Sequence, residues 1–316
     1  MDPNKIKDLP VICLLGPTAS GKTELAIKLS KQLPIDIINV DSAQVYREMD
    51  IGTAKPSHEL LIEFPHRLID IRDPEDTYSV SNFVKDANDE IAQIHDKQRI
   101  PLMVGGTMLY FHALIEGLSK LPNGDKLIRD TIDNEANIIG WPKMHEKLLF
   151  IDSVAAKKIN PNDGHRIQRA LEIFELTGKN ITHLQSQKQK TNNYNFINFA
   201  IRYHSRDELH QRINARFLSM IDNGFLEEVS DLKNRKNLTA KHASMKAVGY
   251  KQIWSYLDDD FNLDEAILKA QAATRQLAKR QITWLRNTID AIEVDSDHQN
   301  LISTIRASYE RGQEIV

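Results

Sequence analysis

Apolar residues fall along this chain in two alternating rhythms. Short unbroken runs, Val11-Ile12-Cys13-Leu14-Leu15, then Ile35-Asp36-Ile37-Ile38-Asn39-Val40, then Pro101-Leu102-Met103-Val104, have the length and β-branched content of buried strands. Between them apolar residues recur every three to four places. Leu25, Leu29 and Leu33 mark one helical face, and Phe83, Ala87, Ile91 and Ile94 mark another over 79–95, with Ser79 or Ser81 as its cap. Leu68-Ile69-Asp70-Ile71 reads as a further short strand, closed by Asp73-Pro74. Strands alternating with helices predict an α/β fold with a parallel sheet flanked by helices.

The rhythm changes near Leu118. From 119 to 195 charged helical segments dominate, broken at Pro122-Asn123-Gly124, Gly140-Trp141-Pro142 and Asn160-Pro161-Asn162-Asp163-Gly164. This predicts a helical insertion over 119–195, with 166–176 as its return helix and 188–195 as a polar loop. Residues 1–118 and 196–316 then form the core domain. Positions 196–203 read as the last strand, and everything after Ser205 reads as helix.

Composition changes the picture in two places. The single cysteine, Cys13, excludes a disulfide or thiolate zinc site within the chain and suits a reducing, cytoplasmic setting. No apolar run reaches membrane-spanning length, and positions 1–10 lack the apolar core of a leader peptide, so no membrane partner is expected. The net charge of −3 gives no global sign of a nucleic-acid partner. Its distribution does: 266–289 holds no acidic residue, yet carries Lys269, Arg275, Lys279, Arg280 and Arg286. Arg275, Lys279 and Arg286 share one helical face, with Leu277, Trp284 and Leu285 falling toward the core side. Such a stripe serves either phosphate contacts or a solvated surface.

The chemistry centres on Gly16-Pro17-Thr18-Ala19-Ser20-Gly21-Lys22-Thr23, a G-x-x-x-x-G-K-[ST] loop between a strand and a helix. Its amides and the helix N-terminus cradle phosphates, Lys22 reaches the outer phosphate, and the Thr23 hydroxyl holds Mg²⁺. Asp41 ends the second strand, where ligands gather in open α/β sheets. It is placed to be a metal ligand through water, a general base or a cap. Gln44 can pair bidentately with an adenine edge, and Tyr46 can stack on a base. Gly105-Gly106 lets a ligand near the backbone and Thr107 adds a hydroxyl, or the three form only a tight turn. Arg212 and Arg216, four apart, can clamp an anion or pair with Glu208. There is no zinc-ligand spacing, no G-x-S-x-G elbow and no Asn-Lys-x-Asp tetrad. The residues alone leave a P-loop small-molecule or nucleoside kinase open, with Arg166 and Arg169 as lid arginines. An acid-free basic helix has no use in such a kinase, and a purely RNA-binding module leaves the P-loop unexplained.

The motifs G-P-T-A-S-G-K-T at 16–23, D-S-A-Q-V-Y at 41–46, D-I-G-T-A-K-P at 50–56, P-H-R-L-I-D at 65–70, G-G-T-M-L-Y at 105–110, V-G-Y at 248–250 and R-Q-L-A-K-R-Q-I-T-W-L-R at 275–286 occur in this order. Together, from Leu14 to Arg286, they resemble the tRNA dimethylallyltransferase (tRNA isopentenyltransferase) family. The bacterial form is implied, since the zinc-finger extension of some eukaryotic members is absent. The resemblance implies a P-loop NTPase-like core with a helical insertion. It also implies transfer of a dimethylallyl group from dimethylallyl diphosphate to the exocyclic amine of the adenine 3′ of a tRNA anticodon, with Mg²⁺. It implies that Gly16, Pro17, Thr18, Ala19, Ser20, Gly21, Lys22 and Thr23 hold a prenyl diphosphate rather than ATP, that Asp41 is the base, and that Arg216 lies near the diphosphate. The implied tRNA contacts are Asp41, Ser42, Ala43, Gln44, Thr107, Arg129, His165, Arg166, Ile167, Gln168, Arg169, Lys246, Ala247, Val248, Gly249, Tyr250, Lys251, Lys279, Arg280, Gln281, Ile282, Thr283, Trp284, Leu285 and Arg286. Lys246 stands where the family often has Arg, so a bidentate contact there is lost. A monomer is expected.

Overall fold

The computed structural model describes residues 9–190, 192–202, 205–295 and 301–307. Along the chain come β1 (Val11–Leu15), α1 (Lys22–Ser30), β2 (Ile35–Val40), α2 (His58–Glu63), β3 (His66–Arg67), α3 (Val80–Asp96), β4 (Ile100–Gly105) and α4 (Met108–Glu116). Next are β5 (Leu118–Ser119), α5 (Lys126–Ile139), α6 (Trp141–Ile151), α7 (Ser153–Lys158), α8 (Gly164–Thr177), α9 (Ile181–Gln185) and β6 (Lys188–Gln189). The chain returns through β7 (Phe196–Ile201), α10 (Arg206–Asp222), α11 (Phe225–Lys233), α12 (Tyr250–Leu257), α13 (Leu263–Thr288) and β8 (Ile292–Val294). Residue contacts divide it into two units: residues up to Ala113 with those from Asn192 onward, and Leu114–Thr191.

In the first unit the described strands form a six-stranded sheet in the order β3-β2-β4-β1-β7-β8, every pair parallel. β1 lies between β4 and β7, which is why all five of its residues are buried and apolar. Ile12, Leu14, Ile37, Leu102 and Val104 pack one face of the sheet against Leu25, Ala26 and Leu29 of α1. The α/β fold is as the apolar rhythm predicts. Ser79 caps α3: its hydroxyl accepts the Asn82 N–H at 3.1 Å while Asn82 Oδ1 accepts the Ser79 N–H at 3.0 Å.

Three expectations fail. The strand expected at 68–71 is instead His66–Arg67, because Leu68 and Asp70 take left-handed φ values of 63° and 55°. Their segment turns away to bond with 44–45 (Ile71 N–H to Val45 O, 2.9 Å). The strand at 196–201 is not the last, since β8 adds in parallel beyond it. The expected loop at 188–195 opens with β6, paired antiparallel to β5. Positions 1–8, 191 of the expected loop, 203–204 of the expected strand, and 296–300 and 308–316 of the helix expected after Ser205 lie outside the described residues.

The second unit packs α5, α6, α7 and α8 around Ile132, Ala136, Met144, Leu148, Ile167 and Leu171. Among the described residues no helix is long and apolar enough to cross a membrane.

Candidate functional site

β1 delivers the chain to Gly16, and α1 begins at Lys22 behind Gly21, which takes a left-handed φ of 84° and, lacking a side chain, leaves the helix entrance uncapped. Lys22 folds back into the loop: its ammonium donates to Pro17 O at 2.6 Å, Gly16 O at 2.9 Å and Ser20 Oγ at 3.3 Å. Burial, then the charge of Arg216, lowers its pKa to about 7, with Asp41 opposing the shift.

A cavity of about 330 Å³ opens over this loop. Thr18 to Thr23 form its floor, Asn39, Asp41 and Gln44 one wall, and Arg216 another. Ile213, Phe217 and Met220 of α10, with Val248 and Leu277, supply an apolar side. Arg216 is driven below its ordinary pKa by burial, against the pull of Asp41. Lys22 and Arg216 thus line one cavity with Asp41 and Glu24, and both cations lose hydration there, which a bound anion would offset. The cavity is built for an anion with an apolar tail.

Asp41 divides its two oxygens. Oδ1 accepts the N–H of Ala43 at 2.8 Å and of Gln44 at 3.4 Å, the local turn that a capping role predicts. No described group donates to Oδ2, so capping and base roles are compatible.

Other expected contacts are corrected. Gln44 cannot pair bidentately, because its amide nitrogen already donates to Thr53 O at 3.0 Å and Ala54 O at 3.3 Å. Tyr46 is only 3% exposed and cannot stack on a base. The double glycine lines the cavity and also makes room for protein: a Cβ on Gly105 would lie 2.0 Å from Val40 O, and one on Gly106 2.5 Å from Gln281 Nε2. Thr107 Oγ1 accepts the Ser42 N–H at 3.0 Å, tying the ends of β2 and β4 together. Of the expected arginine pair only Arg216 lines the cavity; Arg212 lies 3.9 Å from Glu208.

On α13, Lys279, Arg280, Thr283 and Arg286 are exposed, as the basic stripe requires. Arg275 is not part of it, since Nη1 donates to Asn214 Oδ1 at 2.7 Å. The core face is carried by Ala266, Ala270, Gln271, Ala278 and Gln281. Leu277, Ile282, Trp284 and Leu285 are half-buried, with Trp284 edge-on to His112. Lys246 and Lys251 are exposed and Ala247 and Val248 half-buried, while Gly249 and Tyr250 are buried. In the second unit His165 and Arg166 are exposed, but Ile167 is in the core and Gln168 holds Asp133 Oδ1 at 2.6 Å. Arg129 and Arg169 both bind Glu172. Side-chain contact with RNA is thus closed to Ile167 and Tyr250 by burial, and Gln281 faces the P-loop.

Sequence reasoning missed Glu228 and Glu172, two carboxylates that organise the backbone. Neither lies in a motif, and only the tertiary fold brings their donors together.

Residues 44–288 match the family model described as IPP transferase, and 9–75 the model described as isopentenyl transferase. The chain is 51% identical over 296 residues to tRNA dimethylallyltransferase of Coxiella burnetii, covering 93% of this chain and 95% of that protein. Among solved structures it is similar to the full-length tRNA isopentenylpyrophosphate transferase of Bacillus halodurans, with TM-score 0.71, 35% identity and coverage of 97% and 98%. It is similar to tRNA delta(2)-isopentenylpyrophosphate transferase of Staphylococcus epidermidis, with TM-score 0.67, 32% identity and coverage of 96% and 99%. A eukaryotic dimethylallyltransferase captured acting on tRNA matches with TM-score 0.75 at 26% identity, over 94% of this chain and 77% of that one.

Proposed function

This chain belongs to the tRNA dimethylallyltransferase (IPP transferase) family, and from that premise we propose how its own residues perform the family's reaction. The activity is transfer of a dimethylallyl group from dimethylallyl diphosphate to the exocyclic amine of the adenine 3′ of a tRNA anticodon. The observation that carries the assignment of residues is that Lys22, Arg216 and Asp41 line one cavity that also has an apolar side.

The P-loop amides, Lys22 and Arg216 bind the diphosphate, and Ile213, Phe217, Met220 and Leu277 enclose its five-carbon group. The adenine amine attacks the carbon bearing the diphosphate, and the C–O bond breaks with its electron pair leaving on oxygen. Lys22 and Arg216 meet the charge that grows there. The amine lone pair is delocalised into the ring, so its proton must leave as attack proceeds. Asp41 Oδ2, the oxygen not spent on the turn, accepts it.

Mg²⁺ fits this donor set. Among the described residues no three His, Cys, Asp or Glu cluster as a protein cage for a metal, whereas the exposed Thr23 hydroxyl stands at the cavity. One hydroxyl plus diphosphate oxygens and water is the sparse coordination Mg²⁺ prefers. When bound, it would supply charge neutralisation on the leaving diphosphate. Exposed Lys246, Lys251, Lys279, Arg280 and His165 are placed to reach RNA phosphates, as is exposed Arg166, which also lies 3.4 Å from Asp163.

Labelled dimethylallyl diphosphate, Mg²⁺ and unmodified tRNA test this directly, with labelled ATP as the control for a kinase. Asp41→Asn keeps the Oδ1 acceptor of the turn and loses the base. Transfer should fall about 10²–10⁴-fold, with tRNA affinity held within about tenfold; full turnover would remove Asp41 from the mechanism.

A further inference from the structure

Glu228, on α11, spends its whole carboxylate on one short segment and one hydroxyl. Oε2 accepts the backbone N–H of Asp50 at 2.9 Å and of Ile51 at 2.6 Å. Oε1 accepts the N–H of Gly52 at 3.1 Å and the Tyr250 hydroxyl at 2.5 Å. The segment has no slack there: a Cβ on Gly52 would lie 2.1 Å from Phe225 Cε2 and 2.6 Å from Tyr250 Cε2. Its other end is held by Lys55, whose side chain is 3% exposed and whose ammonium bonds Asp70 Oδ1 at 2.5 Å, Tyr46 O at 3.0 Å and the Asp50 carboxylate.

What this clamp fixes is a pair of carbonyls. Thr53 O and Ala54 O point at Gln44 and take both of its amide hydrogens. A flipped amide would set oxygen against two carbonyl oxygens, so the orientation is dictated by chemistry. Gln44 therefore has Oε1 alone, an acceptor, left to offer, and it lines the same cavity as Asp41.

We propose that Glu228 is a positioning residue for the transfer reaction: by clamping 50–54 it makes Gln44 acceptor-only, and Gln44 then selects a base bearing an exocyclic amine. The inference rests on adenine lying beside Asp41. The adenine amine carries two hydrogens; Asp41 takes one during reaction and Gln44 Oε1 holds the other. A base with a carbonyl at that edge meets acceptors with an acceptor and loses the pairing.

The test uses the whole protein and two anticodon stem-loop RNAs that differ only in carrying adenosine or inosine 3′ of the anticodon. Wild type should bind the adenosine hairpin at least about tenfold more tightly. Glu228→Gln, which turns one arm of the clamp into a donor facing N–H groups, should lower that ratio at least about threefold, the remainder being the share of Asp41. Gln44→Met, with the clamp intact, should do the same. A Glu228→Gln protein that melts earlier but keeps the ratio overturns the proposal, as does Gln44→Met keeping it. Should Glu228→Gln not fold, Tyr250→Phe removes one of the four donors and must lower the ratio. Wild type binding both hairpins equally overturns the inference and leaves the transferase reading standing; wild type binding neither brings down the RNA site itself.

Discussion

Gln281 Oε1 accepts the Thr18 backbone N–H at 2.9 Å, joining α13 to the phosphate loop across 263 positions of chain. Its Nε2 donates to Gly106 O at 2.8 Å, so one amide fastens the P-loop to the end of β4. Gln281→Leu leaves the half-buried Thr18 N–H and the buried Gly106 carbonyl unpaired, a loss of about 1–3 kcal/mol. A urea titration should show that loss, and calorimetry should show inorganic diphosphate binding about tenfold more weakly, since a loosened loop no longer aims its amides.

Lys22 gives the site a pH dependence with a definite sign. In the free protein its nitrogen titrates near 7, lowered from 10.5 by burial and by Arg216. A diphosphate in the loop favours the ammonium and raises that value again. Binding above pH 7 should therefore take up a proton at Lys22, and affinity should fall as pH rises. Calorimetry at pH 8 in buffers of differing ionisation enthalpy measures the uptake, and Lys22→Met should remove this share of it. The stability of the free protein runs the other way. Between 7 and 10.5 the unfolded chain holds the proton that folded Lys22 has lost, so unfolding free energy rises with pH across that window.

Much of this was legible in the chain because it is local. A strand, a Gly-rich turn and an amphipathic helix announce the P-loop within a few residues, and Asp41 follows from its place at a strand end. What failed was non-local. Leu68-Ile69-Asp70-Ile71 has strand composition, but Asp70 is drawn to Lys55 and the backbone turns left-handed to meet it. β8 is three residues with a glutamate at its centre, too short to stand out until β7 lies beside it. Gln44, Glu228 and Gln281 act through carbonyls and amides of distant segments, and no pattern in their neighbours encodes that.

The basic stripe of α13 makes a prediction that separates its members. Lys279 and Arg280 are exposed, whereas Arg275 lies on Asn214. Lys279→Glu and Arg280→Glu should each weaken tRNA binding and reduce its salt slope by about 0.7–0.9 for a lost phosphate contact. Arg275→Glu should lower the melting temperature more than it changes the slope. Fluorescence anisotropy over about 50 to 200 mM salt reads the difference, and an unaltered slope in the first two variants would make the stripe merely solvated.

Glu172 should govern the second unit in the same way that Gln281 governs the P-loop. Its side chain is fully buried and accepts Arg169 Nη1 at 2.6 Å, Arg129 Nε at 2.8 Å and the Asp125 N–H at 2.8 Å, joining the start of α5 to α8. Burial pushes its pKa up, but these bonds more than offset it and hold the carboxyl below its ordinary value. The stabilisation is then complete above the unfolded value of 4.5 and is lost as pH falls through the lower folded one. Glu172→Ala removes the acceptor shared by two partly exposed guanidinium groups and the Asp125 N–H, and should cost about 1–3 kcal/mol. Hydrogen exchange over 126–177 should rise in α5 and α8 together, in the variant at pH 7 and in wild type on acidification. Arg129→Ala and Arg169→Ala should share that signature, and their loss of tRNA binding should follow the loss of order rather than the salt slope. If either variant instead lowers the slope while α5 and α8 stay protected, that arginine contacts RNA directly and Glu172 only parks it.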